Sequence, residues 1–301
     1  QAGETAKAKE FMQSLMEYSV VTEKMGRYFD TPKAHYSWFS YKIPTEVAAM
    51  EAVQYITKDV QVLNQMKRWL LKEKQTQTWD TPIATVNAVY ALLNSGTDLL
   101  ANSDAVKITL GKEVIQTSAE EPIGYLKKVV EGNVMNLKKV TVDCEGNGMG
   151  WGAVYAQYLE NMNRVGEQSN GLSISRSLYK GETLIKEGTL LDVGDKITVR
   201  LTVKADRDMD FVQIKDERAA CMEPLATLSG YRLGTNLGYY QATKDASISF
   251  FINQMRKGMY VIEYQVYVTR SGEYQSGIAT IQSAYAPEFG GHTGGYKVVV
   301  K

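Results

Sequence analysis

Histidine and cysteine are nearly missing from this 301-residue chain, two of each, and neither charge sign is in excess: Lys+Arg 34 balance Asp+Glu 34. Each shortage closes off a class of function. His35 and His292 lie neither in H-E-x-x-H nor beside a spaced cysteine pair, so the sequence offers no zinc site. A chain without net charge lacks the basic stripe that nucleic acid or an anionic membrane would require. No run of 18 apolar residues occurs, so no segment reads as a membrane-spanning helix. Cys144 and Cys221 fall in what read as different domains. Buried free thiols fit them better than a disulfide, so cysteine does not reveal the compartment. There is no G-x-S-x-G elbow and no P-loop. An initiator Met and a signal peptide are also missing; the chain starts at Gln1 in a helical pattern and reads as a piece of a longer polypeptide.

What is present divides by period. A hydrophobic share of 44% supports a sizeable core, the length suits two or three domains, and 19 Tyr lean toward strands. Phe11, Leu15, Tyr18 and Met25 predict an amphipathic helix over 5–29. Ile43-Pro44-Thr45-Glu46 opens a second, with Ala49, Val53 and Ile56 on one face. Asp59 caps a third with a Val62, Met66, Trp69 stripe. Thr81 is the N-cap and Pro82 the first residue of a fourth, in which Ile83, Val86, Tyr90 and Leu93 recur at helical spacing and demand cover from other helices. Short connections make these antiparallel hairpins, the unit of bundles and of α/α toroids.

After Gly96 the period drops to 2. Val106–Leu110, Val114-Ile115, Tyr125–Val130, Lys138–Val142 and Ala153–Leu159 are strand candidates, and 163–171 is the most linker-like stretch. Leu172–Leu178, Lys196–Ala205, Asp210–Lys215, Ile248–Ile252, Met259–Thr269, Ile278–Ala284 and Lys297–Val300 predict a sandwich. The fold class is therefore multidomain, α then β: helical hairpins over 1–97, a β segment over 98–168 and a β-sandwich over 169–301.

Three constellations imitate chemistry. Asp206, Asp208, Asp210 and Glu217 have calcium-loop spacing, but the sixth position, where glycine makes the turn, is Phe211; a polar hairpin turn is the better reading. Gly148-x-Gly150-x-Gly152-Ala153 fits a dinucleotide fingerprint, but Val154, Ala156 and Tyr158 suit a strand as well as a helix and Glu167, near the acidic position, lies in the linker-like stretch; glycines that let the backbone turn beside Trp151 are the better reading. Glu46 and Glu51 are the one carboxylate pair a helical glycosidase could use, although helix glutamates generally face solvent.

Longer matches suggest a different reading. Trp69-Leu70-Leu71-Lys72 followed by Trp79-x-Thr81-x-x-Ala84-Thr85 resembles the end of the thioester-type helical domain of bacterial alpha-2-macroglobulins. Ile43-Pro44-Thr45-Glu46-Val47 resembles that family's preceding helix. Asp216-Glu-Arg-Ala-Ala-Cys221-Met-Glu223-Pro224 is similar to the terminal β domain's D-x-L-P-A-G-x-E-P, with Cys221 for glycine and no proline before the alanines, a form like the Bacteroidetes variant. Gly258-x-Tyr260-x-x-x-Tyr264 and Tyr285-x-Pro287-Glu288 resemble two further motifs. The resemblance implies part of an α/α toroid, an incomplete CUB-like β segment and a terminal macroglobulin sandwich. It implies a non-enzymatic part of a protease trap in the cell envelope, periplasmic or surface-exposed. Its partners would be the upstream domains of the same polypeptide and a target protease. No cofactor, metal or catalytic residue is implied, since C-G-E-Q is absent. Tyr285, Pro287, Phe289 and Trp79 become candidates for an interdomain interface. A surface adhesion or scaffolding module reusing these domains is the alternative, and an α/α-toroid glycosidase a more distant one.

Overall fold

The computed structural model describes residues 3–30, 41–79, 81–95, 106–111, 113–116, 127, 129–132, 139–144, 152–234 and 236–301. His35, the Tyr125–Val130 strand apart from three non-strand residues, and all of the glycine fingerprint except Gly152 and Ala153 lie outside them. The chain divides into two compact units, 1–74 with 79–152, and 75–78 with 153–301.

In the first unit α1 (Thr5–Glu17) is followed by a hairpin of β1 (Val20–Thr22) and β2 (Gly26–Tyr28), then α2 (Lys42–Ala52), α3 (Val60–Thr76) and α4 (Pro82–Asn94). A single helix over 5–29 is thus overturned. The β-branched pair Val20-Val21 enters a strand, and Gly26 turns the hairpin at φ +86. No side chain fits there, because a Cβ on Gly26 would sit 2.2 Å from the Gln65 carbonyl oxygen of α3. The burial phase of α1 also differs from the expected stripe: Met12 is buried, whereas Phe11 and Tyr18 face solvent.

The later helices start as their sequences dictate. α2 runs on into one π-helical turn (Val53–Thr57), closed by Lys58 at φ +55. Asp59 Oδ1 accepts from the N–H groups of Gln61 (3.0 Å) and Val62 (3.1 Å) to cap α3. Met66 and Trp69 are fully buried on the expected face, and Trp69 stacks on Tyr28 at 5.7 Å. Thr81 caps α4, its hydroxyl accepting from Ala84 N–H at 3.0 Å, with Pro82 at the first position. Thr81→Ala should lower helical-unit stability by about 1 kcal/mol in urea melts followed at 222 nm.

The buried face of α4 reverses the expectation. Ala84, Ala88 and Ala91 point inward and allow a close approach to α2, while Ile83, Val86, Val89, Tyr90 and Leu93 are exposed. The unit also holds an antiparallel sheet in which β3 (Val106–Leu110) lies between β4 (Glu113–Gln116) and β5 (Val140–Cys144).

The second unit contains β6 (Gln168–Asn170), β7 (Leu172–Lys180), β8 (Thr183–Ile185), β9 (Leu190–Leu191), β10 (Lys196–Ala205), β11 (Met209–Glu217), β12 (Met222–Pro224), β13 (Gly230–Leu233), β14 (Gly238–Thr243), β15 (Ser247–Met255), β16 (Gly258–Val268), β17 (Gly272–Gln275), β18 (Ala279–Ser283), β19 (Gly290–His292) and β20 (Lys297–Val300). Ala153–Leu159 is not among them: it lies in no helix or strand and is exposed throughout, despite its alternation. Because it is not helical, Gly152-Ala153 does not open the helix a dinucleotide site needs.

Hydrogen bonding runs unbroken in the order β12-β16-β10-β7-β6-β19-β18-β11-β15-β14-β13. One core is shared by inward residues of both halves: Ile197, Val199, Leu201 and Val203 of β10, Ile262 and Val266 of β16, Val212 and Ile214 of β11, and Ile248, Phe250 and Ile252 of β15. The sheet therefore folds over itself into a sandwich. The stretch 206–208 is not a hairpin turn, since β10 pairs with β7 and β16 whereas β11 pairs with β15 and β18. It crosses between the two layers.

Candidate functional site

The expected interface residues Tyr285, Pro287 and Phe289 share the loop between β18 and β19. The loop is held from several directions. Ala284 N–H donates to the Phe211 carbonyl (2.8 Å), Ser283 N–H to the Phe289 carbonyl (3.0 Å) and Phe289 N–H to the Ala286 carbonyl (2.9 Å). Gln282 Nε2 donates to the Pro287 carbonyl at 3.2 Å and Asn170 Nδ2 to the Glu288 carbonyl at 2.6 Å.

These bonds sort the side chains. Phe289 points into the core, its ring covered by the Arg207 guanidinium at 4.6 Å and backed so closely by Gly171 that a Cβ there would meet Phe289 Cδ1 at 2.7 Å. Pro287 and Tyr285 point outward, and Tyr285 is 76% exposed. Among the described residues the one ring against it is Phe211, edge to face at 5.3 Å and 83°. The loop is thus held by its own hydrogen bonds while it displays one large aromatic to solvent.

Below this tip lies a polar pin through the core. Asp216 of β11 and Arg176 of β7 are both buried and form an ion pair. Tyr264 of β16 donates its hydroxyl to Asp216 Oδ2 at 2.6 Å, its own ionisation pushed well up by burial and by that carboxylate. Arg176 Nη2 further donates to the carbonyls of Gly277 (2.8 Å) and Gly294 (3.3 Å) and to Ser276 Oγ (3.2 Å), and its plane lies over Tyr296 at 4.4 Å. Both terminal nitrogens of the guanidinium are bonded, and the pin joins both layers.

Trp79, in the helical unit, packs on that unit's core with the Lys74 ammonium 5.5 Å above its ring. The two carboxylates considered for glycosidase chemistry part company. Glu51 is exposed, whereas Glu46 is fully buried, accepts from Phe29 N–H at 3.2 Å and titrates at about 8 because burial disfavours its charge. They do not form an acid–base pair, and the expectation that both face solvent is corrected for Glu46. The calcium-spaced aspartates also diverge: Asp206 holds Arg207 at 2.8 Å, and Asp208 Oδ1 accepts from Lys257 N–H at 2.7 Å. Among the described residues no group of three potential ligands is gathered around a point. His292 lies in β19 and Cys221 is a buried free thiol. Two open hollows of about 460 and about 430 Å³ have neither His nor Cys in their walls.

Phe211, which packs on Tyr285, is the residue of this loop's surroundings that the sequence did not assign to it. Its signal was there, at the position where a calcium loop would need left-handed backbone.

Residues 171–288 match the bacterial alpha-2-macroglobulin MG10 domain. The chain is 23% identical over 291 residues to an alpha-2-macroglobulin homolog of Nostoc sp., covering 88% of this chain and 15% of the relative. It is 28% identical over 141 residues to circularly permutated Ras protein 2 of Dictyostelium discoideum, which covers 44% of this chain and 4% of that protein. Trypsin-activated alpha-2-macroglobulin from Escherichia coli superposes with a TM-score of 0.45 at 13% identity, over 88% of this chain and 19% of that one. The chain thus spans less than a sixth of the length of either curated relative. The MG10 match over 171–288 and the match to an alpha-2-macroglobulin homolog along most of the chain both point to the bacterial alpha-2-macroglobulin family.

Proposed function

We propose that this chain is a non-catalytic part of a protease trap, acting in the cell envelope, and that its MG10 domain presents Tyr285 and Pro287 to another domain of the same polypeptide. In this reading a protease cleaves a bait segment elsewhere and the trap rearranges around it. The contact at Tyr285 holds the unreacted arrangement until then. The carrying observation is the exposed Tyr285 ring on a loop that its own hydrogen bonds hold in place. An aromatic in that position contributes about 2 kcal/mol or more when a partner covers it. Trp79 is the second residue assigned to such an interface, as the apolar marker at the start of α4.

The test uses the longest polypeptide that carries this sequence. Tyr285→Ala should weaken inhibition of a test protease acting on a large protein substrate by tenfold or more, with the MG10 melting midpoint changed by less than about 2 °C. Full inhibition by the variant would remove the contact role. A wild-type polypeptide that leaves the protease uninhibited would favour an adhesion or scaffolding module instead.

A further inference from the structure

The strand that supports Tyr285 is dislocated at one residue. Phe211 has φ +56, and among the described residues the only other non-glycine with a positive φ is Lys58, at the end of a helix. For a bulky side chain inside a strand this conformation is a true outlier. Its effect can be read from burial. In β11 Met209 points inward, and the next inward residues are Val212, Ile214 and Asp216, so the alternation skips one step at Phe211. The partner β15 skips at the same level, with Ile252 and Met255 inward, while the register between the strands is unchanged. Both strands therefore twist together, and the Phe211 ring leaves the sheet at its rim.

That ring meets Tyr285 edge to face, and the Phe211 carbonyl accepts the N–H of Ala284, the residue before Tyr285. Backbone and side chain of one strained residue thus set the direction of the exposed tyrosine. Strain of this kind persists where the surrounding structure over-determines it, and it clusters at clamps and switch regions. A glycine would adopt the same backbone without cost and would supply the same carbonyl. What it cannot supply is the ring.

We propose that Phe211 is the positioning residue for Tyr285: domain stability is given up to keep a phenyl edge against the tyrosine and hold it in a docking-ready rotamer. The proposal rests on the reading of Tyr285 as a contact residue.

Three variants test it. In the 301-residue chain, Phe211→Gly should melt about 3–6 °C above Phe211→Ala, because only glycine relieves the left-handed backbone. The Tyr285 ring protons should lose their ring-current shift in both variants and regain it in Phe211→Tyr. In the longest polypeptide, Phe211→Gly should lose inhibition to the extent that Tyr285→Ala does, the double variant should be no worse than either, and Phe211→Tyr should recover it. Unchanged Tyr285 ring shifts in Phe211→Gly would overturn the positioning role, and equal melting of the glycine and alanine variants would overturn the strain. Should the ring shifts vanish while neither Phe211→Gly nor Tyr285→Ala alters inhibition, positioning stands and the contact reading of Tyr285 is what fails.

Discussion

Arg176→Met should cost the sandwich about 3–5 kcal/mol, a fall in melting midpoint on the order of 10 °C for a unit of this size. The reason lies in what is left behind. Asp216 is 1% exposed, and without the guanidinium the Tyr264 hydroxyl is its one side-chain hydrogen-bond partner among the described residues, so it must be either charged in the core or protonated. The carbonyls of Gly277 and Gly294 and Ser276 Oγ lose their donor as well. Replacing both partners is cheaper than replacing one, so Arg176→Met with Asp216→Leu should melt above Arg176→Met alone. Arg218 supplies the contrast. It too is buried, but Nη2 alone is bonded, to the carbonyls of Lys244 and Asp245, while Nε and Nη1 have no partner among the described residues. Its charge is felt by the buried Asp216, but no hydrogen bond joins the two, so Arg218→Leu should lower the midpoint by much less than Arg176→Met does. Two buried arginines of one domain thus separate in a single series of thermal melts. A midpoint for Arg176→Met equal to that of Arg218→Leu would show that the pin contributes nothing.

The helical unit should lose stability as pH rises, and Glu46→Gln should abolish most of that loss. Glu46 is fully buried, and its pKa stands at about 8 against an ordinary value of 4.5, chiefly because burial penalises the carboxylate; the Phe29 N–H and the Arg27 charge work in the opposite direction. A raised acid pKa means that the folded state holds a proton which the unfolded state has released between those two values. The resulting stabilisation is complete below pH 4.5 and disappears as pH climbs through 8. Its size is roughly 4–5 kcal/mol, from about 1.4 kcal/mol per pH unit over the interval. Glutamine is a permanent mimic of the neutral acid and can still accept from Phe29. Melts at 222 nm from pH 5 to 9 should therefore show a falling midpoint in the wild type and a much flatter one in the variant, the two meeting at the acid end. Parallel curves would mean that Glu46 keeps its charge inside the fold.

Several elements could be read from the sequence because local pattern and tertiary role agree in them. Lys196–Ala205 and Lys297–Val300 have the bounds that alternation assigns. Thr81-Pro82 starts α4 as its cap chemistry requires. Where neighbours decide, pattern misleads. Phe11, Leu15 and Tyr18 form a helical stripe, yet α1 buries Met12 on a different face, and Ile83, Val86 and Tyr90 likewise face out of α4. Alternation in 153–159 predicts a strand, but nothing among the described residues pairs with it, and a strand exists only through its partner. At the candidate site, the motif around Tyr285 and Pro287 was legible through family resemblance. The inward turn of Phe289 and the Phe211–Tyr285 contact were not, because they join segments more than 70 positions apart. Nor does sequence tell Glu46 from Glu51: one is immersed in the helical core and the other in water.

The strand pairing of the sandwich unit, in its long sheet and in the separate sheet β17-β20-β9, also determines when it can form during synthesis. β9 pairs in parallel with β20, more than a hundred residues later, and β6 pairs with β19 across a similar gap. Most of the early strands thus wait for partners not yet translated. At about 5–20 residues per second the nascent unit spends several seconds or more with those edges open. Contacts so distant along the chain also make closure itself slow. The interval between translation of β7 and translation of β20 is therefore when this domain is most exposed to wrong strand pairing, and when a chaperone on the open edges would protect it most.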